Sequence, residues 1–134
     1  MGDKFDRLDE LGKLAERHQY DELREFYRSD VRGWSPSYDF EGIDSWLALL
    51  AKQNDPFSEI ETLQDLVTET DDTVVTEWRW AATHTGTIEA DGFELPATGK
   101  RISMKGLSVF EFSDGKVASF RQYWDNAAVM AQFA

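Results

Sequence analysis

Two stretches in the C-terminal half alternate so strictly that they leave little choice of local structure. From Val74 the even positions read Val74, Thr76, Trp78, Trp80, Ala82 and His84, while the odd ones read Val75, Glu77, Arg79, Ala81 and Thr83. From Arg101 the pattern returns, with Ile102, Met104, Gly106, Ser108, Phe110 and Phe112 on one face. Successive side chains of a strand point to opposite sides, so each run predicts a long strand whose even face is buried. A further strand runs from Lys116 to about Trp124, joined to its predecessor by the turn Ser113-Asp114-Gly115. Phe57 to Thr70 is extended but irregular in alternation, which predicts a bend or bulge. Thr70-Asp71-Asp72-Thr73 predicts a hairpin turn. Gly86 to Gly99 reads as a connection containing Asp91-Gly92, Pro96 and Thr98-Gly99.

The N-terminal part has a different period. Phe5, Leu8, Leu11, Leu14 and Ala15 recur at helical spacing between Asp3 and Arg17. Asp21 suits the cap of a short helix through Leu23, Phe26 and Tyr27. Val31 to Ser35 is a short extended piece stopped by Pro36, and Phe40-Glu41-Gly42 reads as a turn. A helix from Ile43 to Lys52 carries Trp46, Leu47, Leu49 and Leu50, and Asn54-Asp55-Pro56 ends it. Asn126 to Phe133 predicts a terminal helical turn or lid. Helices first and a meander of antiparallel strands after them predict one α+β domain over residues 1–134. Helices on one face of a curved sheet leave a pocket at its open end.

A chain of 134 residues that is 41% hydrophobic can build a core, and its nine Phe and five Trp are many for that length. With 14 Lys plus Arg against 26 Asp plus Glu the net charge is −12. That balance argues against nucleic acid bound through its phosphates and against anionic membrane surfaces. No apolar run approaches the roughly 18 residues of a membrane span. Met1-Gly2-Asp3-Lys4-Phe5-Asp6 lacks the basic-then-apolar pattern of a signal peptide, so a cytoplasmic location is expected. The absence of cysteine excludes disulfides and thiol chemistry. His18 and His84 are the only histidines and lie in different elements, so no metal site is expected. Gly99-Lys100-Arg101 lacks the glycine-rich approach of a phosphate loop, and Ser35 and Ser108 lack a nucleophile elbow, so no cofactor is expected.

Two titratable residues stand out. Asp125 closes the last strand, where it reads either as a general base at a cavity mouth or as the cap of the turn at Asn126-Ala127-Ala128. His84 ends the apolar face of its strand, where it is either a satisfied strand-end residue or a proton-transfer partner of Asp125. Arg79 falls on the face opposite His84. Arg121 shares parity with Asp125 but lies roughly 13 Å away along the strand. Trp34, Trp46, Phe57, Trp78, Trp80, Met104 and Tyr123 are the candidate walls of an apolar pocket.

The segments Pro96-Ala97-Thr98-Gly99-Lys100-Arg101, Asp114-Gly115-Lys116-Val117 and Tyr123-Trp124-Asp125 resemble the SnoaL-like polyketide cyclases of the nuclear transport factor 2-like superfamily. His84-Thr85-Gly86 and Asp65-Leu66-Val67 fall in the order usual for that family. The resemblance implies a cone-shaped fold, N-terminal helices packed on a curved antiparallel sheet around a pocket. It also implies a cofactor-free aldol-type step on a small hydrophobic carbonyl compound, with the Asp of Tyr123-Trp124-Asp125 as general acid or base. Pairing into homodimers is implied through the outer sheet face, which here carries Val75, Ala81, Leu107 and Val109. Relatives of this fold include isomerases, dehydratases, hydrolases and non-catalytic binding modules, so those classes stay open. At position 121 this chain has Arg where many such chains have a bulky apolar residue.

Overall fold

The computed structural model describes residues 3–90 and 92–134. Met1 and Gly2 of the N-terminal segment and Asp91 of the expected Asp91-Gly92 turn lie outside the described residues. Helix α1 spans Asp3–Glu16, with Asp3 and Asp6 in its first turn and Lys13 in its last, matching the helix dipole. Leu8 is fully buried, and Phe5, Leu11, Leu14 and Ala15 pack partly buried around it. The next turn, Asp21–Phe26, is 3-10 rather than α. Tyr20, not Asp21, occupies the cap position, and no side chain caps it. Six residues are too few for a stable α-helix, and Leu23 and Phe26, three apart, are both buried as a 3-10 turn allows.

Strand β1 (Tyr27–Ser35) begins earlier than the extended piece read from sequence. It turns through Pro36-Ser37 into β2 (Tyr38–Glu41). Phe40 and Glu41 therefore belong to a strand, and Gly42 alone makes the corner, at φ 95°. Helix α2 follows over Ile43–Asn54. Strand β3 (Phe57–Glu69) pairs antiparallel with β4 (Thr73–His84). Its register shifts between Ser58 and Glu61 and again between Leu66 and Thr68, the bulges that its irregular alternation predicts. The connection after His84 holds a small ribbon of β5 (Ile88–Ala90) and β6 (Phe93–Leu95), where the turn residues predict only a connection. Three-residue strands are too short to show a period. Strand β7 (Arg101–Ser113), strand β8 (Lys116–Trp124) and helix α3 (Asn126–Ala131) complete the chain.

The main sheet has the order β2-β1-β8-β7-β4-β3. Strand β1 lies parallel to β8, with Gly33 opposite Phe120 and Trp34 opposite Arg121. The sheet is thus mixed, not wholly antiparallel as expected. A meander read along the sequence orders β3, β4, β7 and β8 but does not show that the first strand is laid beside the last. On the inner face the core centres on Trp46, stacked on Phe40 at 5.0 Å and edge-on to Phe120 at 4.9 Å. Two glycines make room for this packing. A Cβ on Gly33 would stand 2.5 Å from Phe40 Cζ, and one on Gly106 would stand 2.5 Å from Trp78 Cζ2.

Candidate functional site

Helices α1 and α2, the inner sheet face and the C-terminal segment enclose a cavity of about 500 Å³. Its walls include Trp46, Phe57, Trp78, Trp80 and Met104 of the residues picked out by sequence. Trp124 and Phe133 join them. Trp34 and Tyr123 do not line it. They pair with each other at 5.3 Å and stay 41% and 45% exposed on the outer side of the sheet. Strand register explains this. Gly106 faces Trp124 and Leu107 faces Tyr123, so Tyr123 follows the odd, outward face of β7.

The same parity governs Asp125. It is exposed, and its Oδ1 accepts the backbone N–H of Ala128 at 3.1 Å, capping α3. It borders a second hollow of about 560 Å³ on the outer side, shared with Glu61, Arg79, Lys105 and Gln132. Trp80, Met104 and Val129 line both hollows and form the wall between them. Asp125 is flanked in sequence by two cavity residues, Trp124 and Asn126.

His84 lines neither hollow; it is fully buried, between Phe57 at 5.5 Å and Phe133 at 5.2 Å. Thr98 donates its backbone N–H to Nδ1 at 3.2 Å, and the Thr98 hydroxyl lies 2.9 Å from the same nitrogen. Nδ1 is therefore an acceptor, and in the neutral ring the proton sits on Nε2. Nε2 has no partner. His84 thus offers a buried donor and no free basic lone pair. Its ring nitrogen also pins the turn at Thr98-Gly99 back onto β4, where His84 N–H donates to Lys100 O and Gly99 N–H to His84 O.

Among the polar residues of the cavity wall, one hydrogen-bonded cluster was not singled out as a site by sequence reasoning. Tyr38 donates to Gln122 Oε1 at 2.6 Å, Gln122 Nε2 reaches Ser108 Oγ at 3.1 Å, and Trp78 Nε1 donates to Ser108 Oγ at 2.8 Å. All four residues line the cavity. Burial pushes the Tyr38 phenol above its ordinary pKa. The signal was present in the alternation: Ser108 and Gln122 are polar residues at inward positions of otherwise apolar strands. Among the described residues no cluster of three or more His, Asp or Glu side chains could hold a metal ion. Nor is any helix among them long and apolar enough to cross a membrane.

Comparison with known proteins gives this architecture relatives. A solved structure from Jannaschia sp. CCS1, proposed as a SnoaL-like polyketide cyclase, is 26% identical with a TM-score of 0.81, over 97% of this chain and 88% of that one. AclR of Streptomyces galilaeus, proposed as a hydroxylase, shares the fold at 19% identity and a TM-score of 0.81, over 99% of this chain and 96% of that one. IdmH of Streptomyces antibioticus, proposed as a polyketide cyclase, shares it at 22% identity and a TM-score of 0.78, over 97% of each chain. No curated protein matches the chain. The model of the SnoaL-like polyketide cyclases matches residues 6–133, nearly the whole length, and the chain belongs to that family.

Proposed function

We propose that the protein binds a flat, largely apolar small molecule bearing carbonyl oxygen in the inner cavity. The observation that carries this reading is the cavity itself. Its volume of about 500 Å³ fits a compound of a few fused rings. Its walls include the indole and phenyl faces of Trp46, Phe57, Trp78, Trp80 and Trp124, which favour planar ligands. Membership in the SnoaL-like family supports a polyketide-like class of ligand.

A proton-transfer step is the second part of the proposal, with Asp125 as general base and His84 as a hydrogen-bond donor. What supports it is that Asp125 borders the outer hollow, which shares the wall residues Trp80, Met104 and Val129 with the inner cavity. In this reading the carboxylate leaves the Ala128 N–H and turns toward the ligand past Trp80 and Val129. A second copy of the chain is the proposed partner of the outer sheet face. The test of the binding reading is a titration of anthraquinones, steroids and terpenoids followed by tryptophan fluorescence and thermal shift, with nucleotides and divalent ions as controls. Quenching and stabilisation by the polycyclic set are expected. Stabilisation by the controls alone would overturn the reading.

A further inference from the structure

We propose that the C-terminal segment, residues 126–134, is a hinged wall of the cavity, latched by Gln132, and that its opening admits the ligand and uncovers Asp125 and His84 together. What enters rests on the cavity-binding reading, but the movement itself is tested without a ligand.

Neither titratable residue meets the inner cavity, and one segment stands before both. Asp125 borders the outer hollow and is parted from the inner one by Trp80, Met104 and Val129. Val129 belongs to α3, whose N-terminal cap is Asp125 itself. His84 lines neither hollow, and two rings packed against it, Phe57 and Phe133, line the inner cavity. Val129 and Phe133 also pack on the cluster of Phe57, Ile60, Ala82 and Ile102. Moving α3 and the tail aside therefore breaks the cap, withdraws Val129 from the wall and takes Phe133 off His84 in one step.

The segment is held as a movable element is held. Strand β8 stops at Trp124, opposite Gly106, so the first residues of β7 have no strand on that side. The Gln132 side chain takes its place: Oε1 accepts the Ser103 N–H at 2.8 Å, and Nε2 donates to Ser103 O at 2.6 Å. Those two partners fix the orientation of the amide. A backbone ladder would tie the two segments residue by residue, whereas here one flexible side chain does so. Helix α3 buries no residue, and Met130 is 51% exposed although it lines the cavity. Lys100 Nζ, donating to Ala134 O, adds a further exposed tie. Few buried contacts and side-chain ties in place of a ladder mark segments that open locally, ahead of the whole fold.

The chain's two histidines provide the assay. Diethyl pyrocarbonate acylates an accessible imidazole, and exposed His18 is the internal reference for fully buried His84. Followed by mass-spectrometric peptide mapping, His84 of the wild-type protein is expected to react at least about tenfold more slowly than His18. Gln132→Ala removes the latch and should speed the His84 reaction about tenfold, with His18 unchanged. Asp125→Ala loosens the other end of the segment and should speed it about fivefold. Val75→Ala, at the far end of the strand that carries His84, should leave it unchanged. His84 as reactive as His18 in the wild type would overturn the closed wall. An unchanged His84 rate in Gln132→Ala, or equal speeding by Val75→Ala, would overturn the latch. The wild-type comparison and Asp125→Ala carry the test should Gln132→Ala not fold. Tryptophan quenching by a polycyclic ligand should also set in about tenfold faster in Gln132→Ala, and an unchanged rate would overturn the segment as the way in. If the wall opens but no polycyclic compound binds, the binding reading fails and the movement stands.

Discussion

The two faces of the sheet are built from the same strands and teach opposite lessons. On the inner face Val74, Ala82, His84 and Ile102 are sealed from solvent, and Trp78 is nearly so. On the outer face Leu63 is 70% exposed, and Trp34 and Tyr123 lie open as well. Aromatic residues occur on both, so composition does not separate them. Parity does: Trp124 points in, and its neighbours Tyr123 and Asp125 point out. A residue's chemistry therefore says less about its role here than whether its number is odd or even along the strand.

The sharpest test of this contrast is one truncation made twice. Trp78→Ala empties a buried indole and removes a donor from Ser108, and a loss of about 3–5 kcal/mol is expected. Trp34→Ala removes an exposed indole paired with Tyr123, and about 1 kcal/mol is expected. Chemical denaturation measures both. Equal losses would show that the outer face is as tightly packed as the inner.

The next test asks what covers the outer face. Val75, Ala81, Leu107 and Val109 lie half-buried among charges there, and a second copy is the proposed cover. Leu107→Glu should then weaken self-association by about 2 kcal/mol, roughly 30-fold in Kd. Analytical ultracentrifugation follows it. A wild-type protein that stays monomeric at about 50 µM would remove the partner from this face.

The smallest effect on stability is expected at Asp125, and its pattern matters more than its size. Asp125→Ala removes the α3 cap and should cost about 1 kcal/mol, whereas Asp125→Asn keeps a capping oxygen and should cost only a few tenths. A general base would respond differently: Asp125→Asn would lower turnover about 10² to 10⁴-fold on a true substrate despite its intact stability. Full turnover in Asp125→Asn would leave capping as the residue's one role.

Sequence showed most of the fold because long strands announce themselves by period, and β4, β7 and β8 fall where their alternation places them. The bulged β3 was legible as an irregularity. The parallel pairing of β1 with β8 was not, because a contact between distant segments leaves no local pattern. The site was legible in part. Apolar walls such as Trp46, Phe57 and Trp80 follow from burial, which sequence tracks well. The hydrogen bonds of His84 and the Ser108–Gln122–Tyr38 cluster depend on three-dimensional partners. The hint was three polar residues, Thr76, Ser108 and Gln122, facing inward where the pattern called for apolar ones.

The placement of β8 bears on how the molecule comes into being. Tyr38 and Gln122, bonded over β1 on the inner face, are 84 residues apart in sequence, and the strand carrying Gln122 lies inside the sheet, between β1 and β7. A chain still lacking that strand has two separate pieces of sheet and a hollow with no roof. Pairings of such long range close late and tend to make folding slow. Binding competence should thus appear together with the last step of assembly, so a ligand that quenches the cavity tryptophans would also time the moment at which the sheet is completed.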